Sequence, residues 1–366
     1  MPPEPRAGVA VQLDLIRELM AVDPGLGARD LLLAARDARG GLPALVLSLA
    51  ALEAVPMGTG ARDELRRLTR RSETYRQLAD RIADATGARV VKGPSLASYY
   101  PPGVLRSVGD LDIVVSDEPQ LWQVLSLVLD AHPAHEALFT ELPSAAGTQL
   151  YACVQWPGED PLLDRDYRVE VSTFAFAGEP GLGPMRITLP ADPAAADLLS
   201  LAEERFQRPF GIRDMLDLAL VLTSGRAPEP RRLAEIAAAH RLTPELLELC
   251  ERTAAYPALA GTVPAELISA LREFADAEQA LRCPEVPEAP DGPPCYGMQL
   301  TTPLRRGAGD RCERHRTGSE VVVRTPISDF LMVPGALVDP DAYERALAYL
   351  ATLRTWPVRC ATTTKG

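Results

Sequence analysis

The chain has 366 residues, of which 46% are hydrophobic and 24% charged, so it is long enough for two domains or for one domain with a helical extension. Its net charge of −12, with no block rich in Lys and Arg, weighs against sequence-independent binding to DNA or RNA, because such binding depends on neutralising phosphates. An acidic surface would suit a cationic small molecule or peptide, although solubility alone explains it equally well.

Two features of the sequence bear on where the protein works. There is no basic stretch followed by an apolar stretch, the pattern of a signal peptide, and no uninterrupted apolar run long enough to span a membrane. The six cysteines are widely scattered, which is typical of free thiols in a reducing compartment. We therefore expect a cytoplasmic protein without a membrane partner.

Residues 1–86 are predicted to form an N-terminal helical region. From about Val9 to Thr86, apolar residues recur every three or four positions. The longest candidate helix, Asp63–Ala85, has one apolar face and one charged face. A basic cluster on this helix is open to two interpretations, a phosphate contact or a solvated helix face, and we favour the solvated face. The cluster consists of Arg66, Arg67, Arg70 and Arg71.

Residues 87–190 are predicted to form a β-sheet unit. Short β-prone runs are broken by Gly, Pro and Asp, and an apolar helix is expected from about Pro119 to Leu129. The order strand, helix, strand, helix and three-stranded meander favours a small mixed sheet with helices on one side. The predicted strands are Val90–Val91, Leu111–Val115, Ala137–Leu142, Gln149–Gln155 and Tyr167–Phe174.

The remaining chain is predicted to be helical first and irregular later. Residues 191–282 form a second helical region, punctuated by Pro, Gly and Thr-Pro. Cys283–Arg316 is rich in Pro, Gly and Arg and is predicted to be a linker or long loop, at the start of a last region, 283–366. Val321–Val333 is predicted to hold one or two strands, and Asp339–Leu353 a terminal helix. The fold class is therefore α+β, a small mixed sheet flanked by two helical regions.

A pair of aspartates, Asp110 and Asp112, alternates with apolar residues on the second predicted strand. Side chains two residues apart leave the same face of a strand, so the two carboxylates lie side by side and repel each other. A cation between them removes the repulsion, and Mg²⁺ bound to substrate phosphates is the usual one. The sequence thus predicts a phosphate-handling metal site.

These elements together resemble the DNA polymerase β-like nucleotidyltransferase superfamily, and within it a bacterial group of uncharacterised nucleotidyltransferases. The similarity covers most of residues 10–255 and nothing beyond Cys283. It implies a nucleotidyltransferase sheet at residues 87–190. The residues that carry it are Lys92-Gly93, Tyr100-Pro101, Arg106, Asp110-Leu111-Asp112, Glu170 within a later strand, and Arg213–Leu218 in the helical tail.

Nucleotidyl transfer of this kind uses two Mg²⁺ ions that are held by three carboxylates from neighbouring strands. Asp110 and Asp112 would supply two of them. Glu170, which lies between apolar residues, is our choice for the third, and it would also take the proton of the acceptor hydroxyl. Asp164 and Asp166, in the polar turn before that strand, are the alternatives.

The phosphates of a nucleoside triphosphate are expected next to Lys92 and Gly93. Gly93 lets the backbone pass close to phosphate, and Ser95 would offer a hydroxyl at the start of a short helix; the superfamily usually has Gly-Ser where this chain has Gly-Pro-Ser. Lys92 and Arg106 are the cationic candidates, unless Lys92 only caps the sheet and Arg106 only pairs with Asp110. Three arginines at a later helix junction are open between the nucleotide cleft and salt bridges: Arg205, Arg208 and Arg213.

The predicted reaction is Mg²⁺-dependent transfer of AMP from ATP to an acceptor hydroxyl, with release of pyrophosphate. The acidic composition and the added helical regions favour a small-molecule, peptide or protein acceptor over bulk nucleic acid. The alternative is an inactive protein of the same fold that binds a nucleotide, a peptide or a partner protein. A third possibility is an enzyme that modifies one protein, as an antitoxin does.

Overall fold

The structure is a computed structural model that describes residues 9–38, 40–179, 182–282, 293–304, 310–335 and 337–355. These residues form helices and a mixed β-sheet, so the predicted α+β class is confirmed. The helices are α1 (Leu13–Leu19), α2 (Ala28–Asp37), α3 (Leu42–Leu52), α4 (Thr59–Thr86), α5 (Gly93–Ala97), α6 (Glu118–Ala131), α7 (Pro193–Gln207), α8 (Ile212–Thr223), α9 (Pro230–Ala239), α10 (Thr243–Ala254), α11 (Ala265–Leu281) and α12 (Pro340–Thr355), with a 3₁₀ turn at Ala260–Thr262. The strands are β1 (Arg89–Val91), β2 (Leu111–Val114), β3 (Glu136–Leu142), β4 (Gln149–Trp156), β5 (Tyr167–Ser172), β6 (Cys295–Gln299), β7 (Glu313–Thr317), β8 (Glu320–Arg324) and β9 (Asp329–Val333).

Local sequence signals set several helix ends. The carboxylate of Asp117 accepts the backbone N–H of Gln120 at the start of α6, and Asp192 accepts that of Ala195 at the start of α7, each followed by a proline in the first turn. Helix α4 stops at Gly87, whose φ of 70° lies in the left-handed region that glycine adopts without strain. These caps bring α4, α6 and α7 to the sheet at defined points.

The strand order across the sheet is β1-β2-β5-β4-β3-β6-β9-β8-β7. Strands β2 and β5 pair in parallel, and the other neighbouring strands in the part of the sheet that the structure describes pair antiparallel. The route from β2 to β5 passes through α6 and the hairpin β3–β4, which agrees with the predicted order of elements. Strand β5 thereby lies between β2 and β4, and its residues face those of the aspartate strand.

The sheet is larger than the sequence indicated, because two strands lie in the segment that was predicted to be a linker. Strand β6 pairs with β3 and β9, and β7 pairs with β8 across a turn at Gly318, whose φ is 62°. Both strands are short and polar or mixed in character, so their partners in the sheet define them more than their own propensity does. The two strands predicted near Val321–Val333 are present as β8 and β9. The rest of the predicted linker, residues 283–292 and 305–309, lies outside the described residues.

The helices cover the sheet and also pack on one another. Helices α4 and α6 contribute to the core against the sheet, where Trp122 and Ile82 are fully buried. A second core joins the helices that precede β1 to those between β5 and β6, through residues such as Ile16, Leu199 and Leu216. The two predicted helical regions therefore pack together beside the sheet. None of the helices that the structure describes is both long and apolar enough to cross a membrane.

Phe139 on β3 packs between α6 and β9, and its removal should destabilise the fold. Its ring is 5.7 Å from Trp122 of α6 and 5.5 Å from Phe330 of β9, centroid to centroid, and its side chain is buried. We expect Phe139→Ala to lower the free energy of unfolding by about 3–5 kcal/mol. Urea unfolding measures this, with Leu162→Ala as the control; Leu162 is 92% exposed, so its change should stay within about 0.5 kcal/mol. A Phe139→Ala loss as small as that of the control would contradict the packing.

Candidate active site

The parallel pairing of β2 and β5 brings the predicted acids to one place. The Cα atoms of Asp112 and Glu170 are direct register partners, and adjacent strands are about 4.8 Å apart. Both side chains lie on the half-buried face of their strands, while their neighbours Leu111, Ile113 and Val169 enter the core. Asp110 precedes β2 by one residue, at the spacing that returns it to the same side.

The charges of these residues act on one another. Burial raises the pKa of the Asp112 carboxyl to about 7; Lys92 opposes this shift, and the carboxylates of Asp110 and Glu170 reinforce it. Burial alone would lower the pKa of Lys92, but Asp112 and Glu204 outweigh burial and raise it. A site with repelling, partly desolvated carboxylates is one that a divalent cation would stabilise.

Glu170 already has partners on its own sheet. Its carboxylate lies 2.9 Å from the guanidinium Nε of Arg168 and is also hydrogen-bonded by the hydroxyl of Tyr151. Within the described ranges, no group of three or more His, Cys, Asp or Glu side chains is arranged so that it could hold a metal ion. Carboxylate oxygens are ligands that Mg²⁺ prefers, but these three are not arranged here to share an ion, and Glu170 is paired with Arg168.

The alternatives for the third acid lie further from this point. Asp164 is bound by Arg67, with 2.6 Å between Nη1 and Oδ1, and Asp166 is exposed in the turn before β5. Only Glu170 of these three occupies the register position beside Asp112. The alternation of apolar and polar residues along β5 was the sequence signal for it.

The turn at Lys92 and Gly93 packs directly against the aspartate strand. A Cβ atom added to Gly93 would lie 3.1 Å from Cγ1 of Val108 and 3.3 Å from the carbonyl oxygen of Asp110, so a larger residue would push the turn away. Lys92 has a φ of 55°, a conformation that non-glycine residues rarely adopt. Its Nζ lies 2.5 Å from Oε1 of Glu204 on α7, so the predicted phosphate-binding lysine is paired with a carboxylate.

Ser95 faces a carboxylate in the structure. Its hydroxyl donates to Oδ2 of Asp197 at 2.7 Å. Asp197 lies on α7 and is only 1% exposed. Burial raises the pKa of Asp197 to about 6, against the hydrogen bonds from Ser95 and Tyr99. Ser95 and Asp197 line a cavity of about 500 Å³ between α4, β1, α5 and α7. In this Gly-Pro-Ser segment, the serine hydroxyl is thus hydrogen-bonded to another side chain of the protein.

Arg106 is buried and has a structural partner that the sequence interpretation did not consider. Its Nε and Nη2 bind the two carboxylate oxygens of Asp217 on α8 at 2.9 and 2.8 Å, and Tyr100 donates to the same carboxylate. Its Nη1 also donates to the carbonyl oxygen of Gly93 at 3.3 Å. Arg106, predicted as a cationic ligand of the triphosphate with pairing to Asp110 as the alternative, is instead paired with Asp217 and holds the Gly93 turn from inside the protein. An Asp flanked by Leu216 and Leu218 on an apolar helix was the signal for this buried partner.

A feature that the sequence interpretation missed is a cavity of about 740 Å³ that borders Asp110. Arg67, Arg70 and Arg71, which we had expected on a solvated helix face, line it, whereas Arg66 does not and is 73% exposed. Their spacing of three and four residues along α4 was the available signal. Of the three arginines at the helix junction, Arg213 also lines this cavity. Arg205 pairs with Glu248, and Arg208 with Asp214 and Glu204.

The similarity of this chain to known proteins is distant. No protein-family model matches it, and no curated protein does. Among solved structures it is similar to a candidate nucleotidyltransferase from H. pylori, with 14% identity, over 57% of this chain and 96% of that one, at a TM-score of 0.29. A similarity at this level carries no argument about activity, so the proposals below rest on the residues of this chain.

Breaking the buried pair of Arg106 and Asp217 should destabilise the protein. Arg106→Met leaves the Asp217 carboxylate buried without its cation, and we expect the free energy of unfolding to fall by about 3–5 kcal/mol. The double variant Arg106→Met/Asp217→Leu should regain part of this loss, because no uncompensated charge remains. Chemical unfolding of the three proteins measures both effects. A stable Arg106→Met that has lost only nucleotide affinity would instead restore Arg106 as a phosphate ligand.

The raised pKa of Asp197 predicts a pH-dependent stability. The folded state holds this proton more tightly than the unfolded state, whose pKa is near 3.8, so stability should fall as the pH rises from about 4 through about 6. Asp197→Asn should remove a part of that fall on the order of 3 kcal/mol. Unfolding free energies at both ends of this window measure the difference. Asp37→Asn, an exposed change, is the control; equal slopes in wild type and Asp197→Asn would refute the assignment.

Proposed function

We propose that the protein is a Mg²⁺-dependent nucleotidyltransferase that moves AMP from ATP to a hydroxyl of a small-molecule, peptide or protein acceptor. The observation that supports this most is the register of Asp112 with Glu170 on parallel strands, with Asp110 on the same side. The Lys92–Gly93 turn, packed against Asp110, adds a cation and a close backbone approach at the same point. Together these are the parts that nucleotidyl transfer needs.

In this proposal Asp110, Asp112 and Glu170 hold the metal. When bound, Mg²⁺ would offset the charge of the phosphates and of the leaving pyrophosphate. Glu170 accepts the proton of the acceptor hydroxyl once its ion pair with the Arg168 guanidinium has opened. The hydroxyl oxygen forms a bond to the α-phosphorus, and the bond from that phosphorus to the bridging oxygen of pyrophosphate breaks.

Lys92 and Gly93 are the proposed contacts of the triphosphate. Lys92 is 21% exposed and would exchange Glu204 for a phosphate oxygen, while Gly93 leaves room for the backbone to approach. Ser95 would join them only by giving up its hydrogen bond to Asp197. Arg106 takes part as a positioning residue, since its hydrogen bond to the Gly93 carbonyl keeps the turn against the sheet.

One alternative has an observation in its favour. Both Glu170 and Lys92, which turnover would need, are neutralised by ion pairs within the protein. The described part of the chain also presents no ready group of metal ligands. These findings favour a protein of this fold that binds a nucleotide, a peptide or a partner protein without turnover.

A turnover assay distinguishes the nucleotidyltransferase from the binding protein. Incubation with ATP labelled at the α-phosphate, Mg²⁺ and pools of hydroxyl-bearing acceptors should transfer label and release pyrophosphate, and EDTA should abolish both. We expect Asp110→Asn and Asp112→Asn each to lower the rate by about two to three orders of magnitude, because each removes a proposed ligand of the Mg²⁺ that would offset the developing phosphate charge. Asp166→Asn is the matched control, since Asp166 is exposed in the turn before β5, and its rate should stay within about twofold of wild type.

ATP titration by calorimetry completes the experiment. ATP binding by wild type with no label transfer to any acceptor pool would favour the binding protein over the enzyme. Absence of both ATP binding and turnover would rule out the enzyme and a nucleotide-binding protein, and would leave a protein that binds a peptide or a partner protein. Full activity of the Asp110→Asn/Asp112→Asn double variant would show that the chemistry lies elsewhere.

A further inference from the structure

We propose that the 740 Å³ cavity beside Asp110 binds an anionic group of the acceptor, so that the acceptor carries a phosphate or carboxylate as well as its reactive hydroxyl. This inference rests on the proposed function and names the substrate class of the same site. It reverses the expectation from composition, in which an acidic protein suits a cationic ligand.

The charge of the cavity is opposite to that of the chain as a whole. Over the full sequence, 50 acidic residues outnumber 38 Lys and Arg. In the lining of the cavity six arginines face four carboxylates, so the local balance is positive. The arginines are Arg36, Arg67, Arg70, Arg71, Arg165 and Arg213, and the carboxylates are Glu64, Asp110, Glu159 and Asp164.

Internal ion pairs account for only half of these arginines. The pairs are Arg36 with Glu64, Arg67 with Asp164, and Arg70 with Glu159. Arg71 donates its N–H groups to backbone carbonyls, including those of Gly109 and Asp166 at 2.7 Å each. It thereby connects the two loops that border the cavity. Neither Arg165 nor Arg213 forms a salt bridge with a carboxylate among the residues that the structure describes, although Arg213, after Arg208, contributes to the lowered pKa of the buried Asp214 carboxyl.

Arg213 is the most specific sign of a ligand. Its Nε is buried and has no hydrogen-bond partner among the described residues. Its Nη1 lies 3.1 Å from the position that a Cβ atom of Gly41 would take, so the glycine, with φ 77°, gives the guanidinium its space. A buried donor without a partner is unfavourable, and Arg213 lines the cavity, where an anion would contact its guanidinium. The planar guanidinium also matches carboxylate and phosphate oxygens in geometry.

The position of the cavity assigns it to the acceptor rather than to the nucleotide. Lys92, Gly93 and Ser95, the proposed phosphate contacts, do not line it, and Asp110 is the one proposed metal ligand that does. Its volume falls within the range of small-molecule sites, about 300–1,000 Å³. An acceptor anchored at Arg165 and Arg213 by its anionic group would therefore extend towards Asp110 with its hydroxyl.

The test uses inorganic phosphate as the probe, titrated calorimetrically into the full-length protein at low ionic strength without nucleotide. Arg213→Gln and Arg165→Gln should each weaken phosphate binding by about tenfold, because each removes a charged donor. Arg66→Gln is the control, since Arg66 is an exposed arginine of α4 outside the cavity, and it should change binding by less than about twofold. Arg165 is an exposed loop residue, so its variant keeps the test valid if Arg213→Gln fails to fold.

Two comparisons separate this inference from the proposed function. ATP affinity should be unchanged in Arg165→Gln and Arg213→Gln and reduced in Lys92→Met. If phosphate binding is lost in Lys92→Met and unaffected in both arginine variants, the anion site belongs to the nucleotide and the inference is overturned; a wild type that binds no phosphate also overturns it. If wild type binds phosphate through these arginines but does not bind ATP, the cavity stands as an anion site and the proposed function fails.

Discussion

The placement of like charges on one sheet face is the constraint on which the site depends. Parallel pairing sets Asp112 beside Glu170, and the β-strand period adds Asp110 on the same side. Partly buried carboxylates at such spacing are unfavourable unless cations compensate them. The protein supplies two, Lys92 from the turn before α5 and Arg168 from β5 itself. Catalysis would require Lys92 to leave Glu204 for the substrate, and Glu170 to leave Arg168 for the metal. The free energy of these ion pairs, compared with that of ligand binding, therefore decides between an enzyme and a binding protein.

The helical regions are part of this site because they hold its turns. Asp217 of α8 binds Arg106, which in turn donates to the Gly93 carbonyl, and Glu204 of α7 binds Lys92. A buried ion pair of this kind contributes modestly to stability when intact but is costly to break. The pair of Arg106 and Asp217 therefore fixes α8 relative to the Gly93 turn. Helices α7 and α8 thus position the turn at Lys92 and Gly93, although more than a hundred residues of the chain separate them from it.

Net charge says little about the ligand of a particular cavity. The chain is acidic overall, yet the lining beside Asp110 is rich in arginine. Long-range attraction follows the summed charge, whereas recognition in a cavity follows the few side chains that face the ligand and their partners. Arg213 and Arg165 form no salt bridge with a carboxylate in the described ranges, and that arrangement, rather than composition, supports the proposal of an anionic acceptor.

The sequence by itself determined the class of fold, the helices of the N-terminal and central parts, and the strands β1 to β5, because hydrophobic periodicity and the Asp, Pro and Gly signals at their ends are local. It also predicted Asp110, Asp112 and Glu170, since alternation along a strand assigns a side chain to a face. Strands β6 and β7 could not be predicted, because pairing with β3 and β8 defines them more than their own residues do. Only the tertiary structure decided that Arg106 binds Asp217, that Ser95 binds Asp197 and that the arginines of α4 face a cavity. Each of these depends on which distant element lies opposite a side chain, and one sequence read along its length does not contain that information.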